Sequence, residues 1–281
     1  MILDIYNDSI KYSIKNSKSL FYFGLTLFSI FILWMTYLLI LIHYQNANLN
    51  LKFASLIVPA VLTLIPGFLF LGYEYKILEI STRGMINGTD KVPEFNNLKE
   101  MLINGAKVFL VKFIYFAIPI IILAVSNIAF LNHISGGIIG TAGAIISIIL
   151  GIILYFVSFI SLSNMAAHNN FKKAFDFKEI KEVILTIGPA RYILFYIGLT
   201  VIECVIAFVL FTITMIAMMI IGTSGINTLT SPEPLWWAMF IITNLIFTLI
   251  IALTELFKTR GIGLIYRSEE RRVGKECRSR W

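Results

Sequence analysis

Cysteine, histidine and charge are all scarce in this chain. Of its 281 residues two are cysteine, three are histidine, and 14% are charged. Cys277 lies in a terminal segment that is set aside below, and a single remaining Cys204 inside an apolar stretch cannot close a disulfide or a cysteine metal site within one chain. His43, His133 and His168 stand apart near the ends of different apolar stretches, two on one side and one on the other. They cannot converge on a metal or a nucleophile, and each reads as a solvated loop histidine. There is no His-Glu-x-x-His and no phosphate-cradling glycine loop, since Gly261-Ile262-Gly263 is too short to count. The chain is therefore read as non-enzymatic and without a cofactor.

What is abundant is apolar surface. The sequence is 58% hydrophobic with a mean hydropathy of +0.85, which leaves no polar shell for a soluble globule. Six long apolar stretches stand out, at about Leu20–Ile42, Phe53–Tyr73, Val108–Leu131, Ile138–Leu162, Ile193–Ile221 and Leu235–Phe257. Each reaches the roughly 20 residues that cross a hydrocarbon core about 30 Å thick. All are expected to be helices, because lipid offers no partner for free backbone groups. The first lacks a small-x-small exit, with Ile40-Leu41-Ile42-His43 following it, and reads as a retained helix rather than a signal peptide.

Lysine and arginine flank these stretches on alternating sides. Up to Tyr266, sixteen lie in the N-terminus, in segments 74–112 and 163–191, and after Leu256, while Lys52 is alone in the other three connections. That bias places both termini in the cytoplasm of a multi-pass protein of the cell membrane. A nucleic-acid surface would instead show one contiguous basic face, so nucleic acid is excluded as a partner. Tyr22, Tyr44, Tyr73, Tyr115, Tyr192 and the pair Trp236-Trp237 fall near span ends, where headgroup anchors belong.

The last fifteen residues, Arg267 to Trp281, read RSEERRVGKECRSRW and resemble a translated sequencing adapter. They are excluded from fold reasoning, which lowers the net charge from 23 − 16 = +7 to 17 − 13 = +4 and implies that the native end is missing. Residues 1–266 then form a single integral membrane domain.

Three short segments in the basic connections read alike: 10–15, 98–103 and 180–185, spaced by 88 and 82 residues. In the second, Phe95, Leu98, Met101, Leu102 and Phe109 share a helical face opposite Lys99, Glu100, Asn104 and Lys107. Such amphipathic helices lie in the membrane interface, where anionic lipid headgroups are the expected contact. Asn97-x-x-Glu100 and Asp176-x-x-Glu179 have capping-box spacing. The pattern suggests three tandem units, 1–75, 76–165 and 166–266, each an interfacial helix followed by a two-span hairpin.

Gly72-Tyr73 closing the second span, then Gly88, Pro93-Glu94-Phe95, an expected turn at Asn104-Gly105, Ala167-His168 and Ala174-Phe175-Asp176 resemble an uncharacterised prokaryotic membrane family, domain of unknown function 4013. The likeness runs from about residue 60 to 260, with Lys76 and Asn104 standing where Arg and Asp are common. It implies a multi-pass membrane protein, frequent in archaea, with no assigned activity.

Glu203 is the one ionisable side chain well inside a span. A charge at that depth costs roughly 2.5–3.5 kcal/mol on insertion scales, so it is expected to face the bundle interior. Counted from the basic end of each span at ~1.5 Å per residue, Glu203, Asn244, Asn127 and Thr63 all come to roughly 18–23 Å, a polar layer across four spans. Pro59, Pro66-Gly67 and Pro119 mark sites of kinking, with span two bent or interrupted at Pro66-Gly67. Gly136, Gly140, Gly143, Ser147 and Gly151 recur at three- or four-residue steps and form a helix-packing stripe.

Two functions fit. One is a membrane scaffold that contacts lipid, a protein partner or further copies of itself; the other is a small-solute or ion transporter that uses the layer around Glu203. Reporter fusions after Asn46, Gly88, His133, Asn170 and Thr230 are expected to read outside and inside alternately, beginning outside. Two adjacent fusions on the same side would overturn the orientation.

Overall fold

The computed structural model describes residues 2–43, 49–86, 90–131, 137–222 and 234–278, and among these the chain is all helix. The order is α1 (Ile2–Ser13), α2 (Ser17–His43), α3 (Leu49–Arg83), α4 (Leu98–Leu131), α5 (Ile138–His168), a 3-10 turn at Phe171–Phe175, α6 (Phe177–Ile187), α7 (Pro189–Gly222) and α8 (Pro234–Arg278). Six of them, α2, α3, α4, α5, α7 and α8, are long and apolar enough to cross a membrane, and the chain is a multi-pass membrane protein. Ile118, Ile121 and Val125 of α4 and Ile145, Ile149 and Ile152 of α5 point outward, each more than half exposed. Water would penalise such stripes, whereas acyl chains solvate them as well as a protein core does. Tyr44, Gly88, His133 and Gly136, and the side chains of His43, Trp236 and Trp237, lie outside the described residues.

The helices differ from the sequence reading in instructive ways. The second amphipathic segment is not a separate interfacial helix, because α4 runs unbroken from Leu98 through the third span. Asn104-Gly105 lies within α4 and is no turn. α3 likewise continues through Pro59 and Pro66-Gly67 without interruption, and α4 through Pro119. Asn97 has φ +57, the left-handed region that Asn tolerates, and only its backbone carbonyl, accepting from Met101 N at 3.1 Å, holds the start of α4. Asp176 does cap α6, its Oδ1 accepting from Glu179 N at 3.2 Å, but Glu179 turns to Lys173 instead of closing a box. Gly188 at φ +87 ends α6, and Pro189 opens α7 in the first-turn position where its missing N–H costs nothing.

Small residues set how closely the helices approach. A Cβ on Gly72 of α3 would overlap the Met101 carbonyl of α4, and one on Gly105 would overlap the Phe68 carbonyl in return. That mutual contact brings α3 and α4 together at backbone distance, as small residues do between membrane helices. On the next interface a Cβ at Gly140 would come within 2.8 Å of the Phe130 backbone nitrogen, and one at Gly143 would collide with Ser126 Oγ. One turn further along, Ser147 Oγ donates to the Pro119 carbonyl at 2.7 Å, and Gly151 keeps an ordinary 3.9 Å from Pro119.

Three of the tyrosines read as headgroup anchors belong to the protein interior. Tyr73, Tyr115 and Tyr192 are buried, with hydroxyls donating to the carbonyls of Pro93 at 2.9 Å, Ala174 at 2.9 Å and Phe156 at 2.6 Å. A span-end tyrosine serves either surface equally well by composition, and only the neighbouring chain decides which.

The basic end is tied by Arg260, 1% exposed on α8. Its Nε donates to Asp8 of α1 at 3.0 Å, its Nη2 to Asp90 at 2.7 Å and to the Met85 carbonyl at 3.3 Å, and its guanidinium lies 4.5 Å from the Tyr12 ring centroid. Around it α1 is turned inside out: Asp8, Ser9 and Ser13 are buried with Ile5 and Tyr12, while Leu3, Ile10 and Ile14 are exposed. Removing one partner of a buried pair strands the other charge. Arg260→Met is accordingly expected to lower the unfolding free energy in lipid-detergent micelles by about 3–5 kcal/mol. A loss within the ~1 kcal/mol typical of a surface pair would show that the guanidinium holds nothing together.

Candidate functional site

Five ionisable side chains from four of the spanning helices gather near the basic end. On α8, Glu255 and Lys258 are one turn apart, and Lys258 Nζ lies 2.6 Å from Glu255 Oε1. Its other neighbour is Glu203 Oε1 of α7 at 3.4 Å. Across the bundle, Lys112 of α4 lies 3.5 Å from Glu74 of α3. These groups are largely shielded, with side-chain exposure of 14% for Glu74 and 15% for Lys258. Glu74, Lys112, Glu255 and Lys258 line a cavity of ≈ 200 Å³, closed on its other sides by apolar and aromatic groups that include Phe116, Tyr155 and Phe159.

The helices explain why these charges converge. Gly72 and Gly105 draw α3 and α4 together beside Glu74 and Lys112, and Gly263, where a Cβ would collide with Ser81, seats α8 against α3 beyond Lys258. Close approach of the backbones leaves room at their margin only for side chains that reach inward. Tyr155 and Phe159, one turn apart on α5, form the opposite wall with rings at 4.7 Å.

The four residues of the expected polar layer do not meet. Glu203 is paired with Lys258, and Asn244 stands fourteen residues earlier on α8 than that lysine, roughly 21 Å along the axis. Thr63 Oγ1 donates to the Pro59 carbonyl at 2.6 Å, and Asn127 Nδ2 donates to the Leu123 carbonyl at 2.9 Å, each within its own helix. Counting residues along separate helices omits their tilt and offset, which is where the layer fails. Sequence reasoning missed Glu74, Lys112, Glu255 and Lys258 because they sit at span ends, where charge reads as a topology signal. The signal that could have found them was the two carboxylates, Glu74 and Glu255, placed at the margins of apolar runs on the basic side.

A second group lies outside the spans. His168 Nε2 is 3.5 Å from Glu179 Oε1, so this histidine does have a carboxylate beside it. Lys173 Nζ bonds Glu179 at 2.6 Å and Asp176 at 3.1 Å. Buried Asn164 holds the 3-10 turn, donating to the Lys173 carbonyl at 3.0 Å and accepting from Tyr266 Oη at 2.9 Å. No group of three or more His, Cys, Asp or Glu residues able to hold a metal is present among the described residues, and Cys204 is exposed.

The Glu179 amide, followed by the Lys173 ammonium, holds the Asp176 carboxyl below its ordinary value. Its contribution is therefore present above the unfolded-state pKa and is lost as pH falls through the folded one. Corrected hydrogen exchange at the Glu179 amide is expected to speed up on acidification below about pH 4. Asp176→Asn, which still caps the helix, should remove that pH dependence; an unchanged acid response would assign it elsewhere.

No curated protein and no solved structure matches this chain. A family model described as "Protein of unknown function (DUF4013)" matches residues 55–222, which include Glu74, Lys112, Tyr155 and Glu203. The chain belongs to that family.

Proposed function

We propose that this protein is a carrier of the cell membrane for a small solute, with the cavity between α3, α4, α5 and α8 as its binding site. The observation that supports this most is the convergence of Glu74, Lys112, Glu203, Glu255 and Lys258 from four spanning helices on one open volume. Ionisable groups at membrane depth are costly, and apolar residues of similar size would hold the helices together at least as well. A charged cavity left unfilled is what a binding step needs and what packing alone does not. No nucleophile-and-base arrangement accompanies it among the described residues, so the site is read as binding without catalysis.

The scaffold reading rests on a different observation. α1 exposes Leu3, Ile10 and Ile14, α4 exposes Leu98 and Ile103 at its start, and α6 exposes Phe177 and Leu185. With Lys11, Lys15, Lys99, Lys178 and Lys181 nearby in sequence, these faces suit an interface of anionic headgroups. Such a collar serves to seat a carrier as well, and it gives the cavity no use.

Proteoliposomes offered radiolabelled amines, amino acids and organic acids separate the two. A carrier takes up at least one class, and Glu203→Gln and Glu255→Gln cut that uptake by about tenfold or more, the loss of one charge-assisted contact, while each variant still folds. Wild-type vesicles that accumulate nothing above protein-free vesicles would favour the scaffold.

A further inference from the structure

The charges around the cavity do not balance, and the imbalance specifies a ligand. Lys258 is shared between Glu255 at 2.6 Å and Glu203 at 3.4 Å, and Lys112 stands off at 3.5 Å from Glu74. Three carboxylates thus meet two ammonium groups. Glu74 from α3 and Glu255 from α8 border the same space as neighbours. Two carboxylates side by side need a cation or a proton between them.

We propose that the cavity binds a small organic monocation, an alkylammonium whose head lies between Glu74 and Glu255 and whose carbon chain lies against Phe116, Tyr155 and Phe159. The inference rests on the carrier reading and adds the chemical class of the solute. Size supports it: an engineered apolar cavity of about 150 Å³ accommodates benzene, so ≈ 200 Å³ holds a short-chain amine but excludes a larger body. Aromatic walls attract a cation over their faces and shelter its chain. An anion finds both lysines already engaged. A zwitterion would have to draw its carboxylate's partner from the same two lysines. A divalent metal lacks its cage of ligands among the described residues.

The test uses the full chain in lipid nanodiscs and isothermal titration with four probes of one length: n-butylammonium chloride, sodium butyrate, 1-butanol and γ-aminobutyrate. Butylammonium is expected to bind at one site per chain, the other three not to bind, and Glu74→Gln and Glu255→Gln each to weaken butylammonium by about tenfold or more. Two variants on different helices keep the test open if one fails to fold. Equal binding of butanol would show an apolar void and overturn the proposal. Binding of butyrate or γ-aminobutyrate, lost in the Gln variants, would overturn the ligand class and leave the cavity as the site. Silence from all four probes also overturns it, and uptake of any other solute by proteoliposomes would then show the carrier reading standing without it.

Discussion

Hydrocarbon cannot solvate a charge or an unpaired peptide group, and nearly every feature of this bundle answers to that constraint. It explains why the six spanning segments are helices and why lysine and arginine keep to alternate connections. It also decides what happens to charges that do lie among the helices. Arg260, almost wholly buried, is surrounded by Asp8, Asp90 and the Tyr12 ring, while Lys258 is held between Glu255 and Glu203. The two arrangements differ in balance and in openness. At Arg260 the neighbouring chain closes in so tightly that Gly84 has no room for a Cβ, since one would come within 2.8 Å of Arg260 Nη1. Around Glu74 and Glu255 a cavity remains. One cluster binds the fold together, and the other has space for something more.

The same constraint governs the connections on the basic side. Segments that leave a helix carry free carbonyls, and tyrosines reaching from the spans satisfy them: Tyr73 for Pro93, Tyr115 for Ala174, Tyr192 for Phe156, and Tyr6 of α1 for Phe195 at 2.6 Å. Ser161 of α5 donates to the same Ala174 carbonyl. Because each bond joins elements far apart in sequence, the tyrosines fix α1 and the 3-10 turn to the bundle. The inverted burial of α1 follows, with its hydroxyls and Asp8 facing protein and its apolar side chains left for lipid.

Much of the fold was legible in the chain. Continuous apolar runs of sufficient length mark spanning helices without ambiguity, and the small-residue spacing at Gly140, Gly143 and Ser147 marks a face that now lies against α4. Legibility failed where one sequence signal has two physical meanings. A tyrosine at a span end meets headgroups or a carbonyl, an Asn-Gly pair turns the chain or lets helices touch, and a lysine at a span end marks the cytoplasm or reaches into the bundle. His168 is the clearest case, because its partner Glu179 lies beyond a 3-10 turn and on another helix.

The chain's own pattern of apolar runs and basic connections determined the membrane class, the six spanning helices and the exclusion of metal and disulfide chemistry, because each follows from composition along a single segment and the solvent it must enter. Which charges face one another was decided only by packing. The meeting of Glu74 with Lys112, of Glu203 with Lys258, and of Arg260 with Asp8 depends on the offset and tilt of helices from opposite ends of the sequence. Those offsets are set by where glycine lets two backbones touch, a property of pairs of surfaces that no single segment encodes.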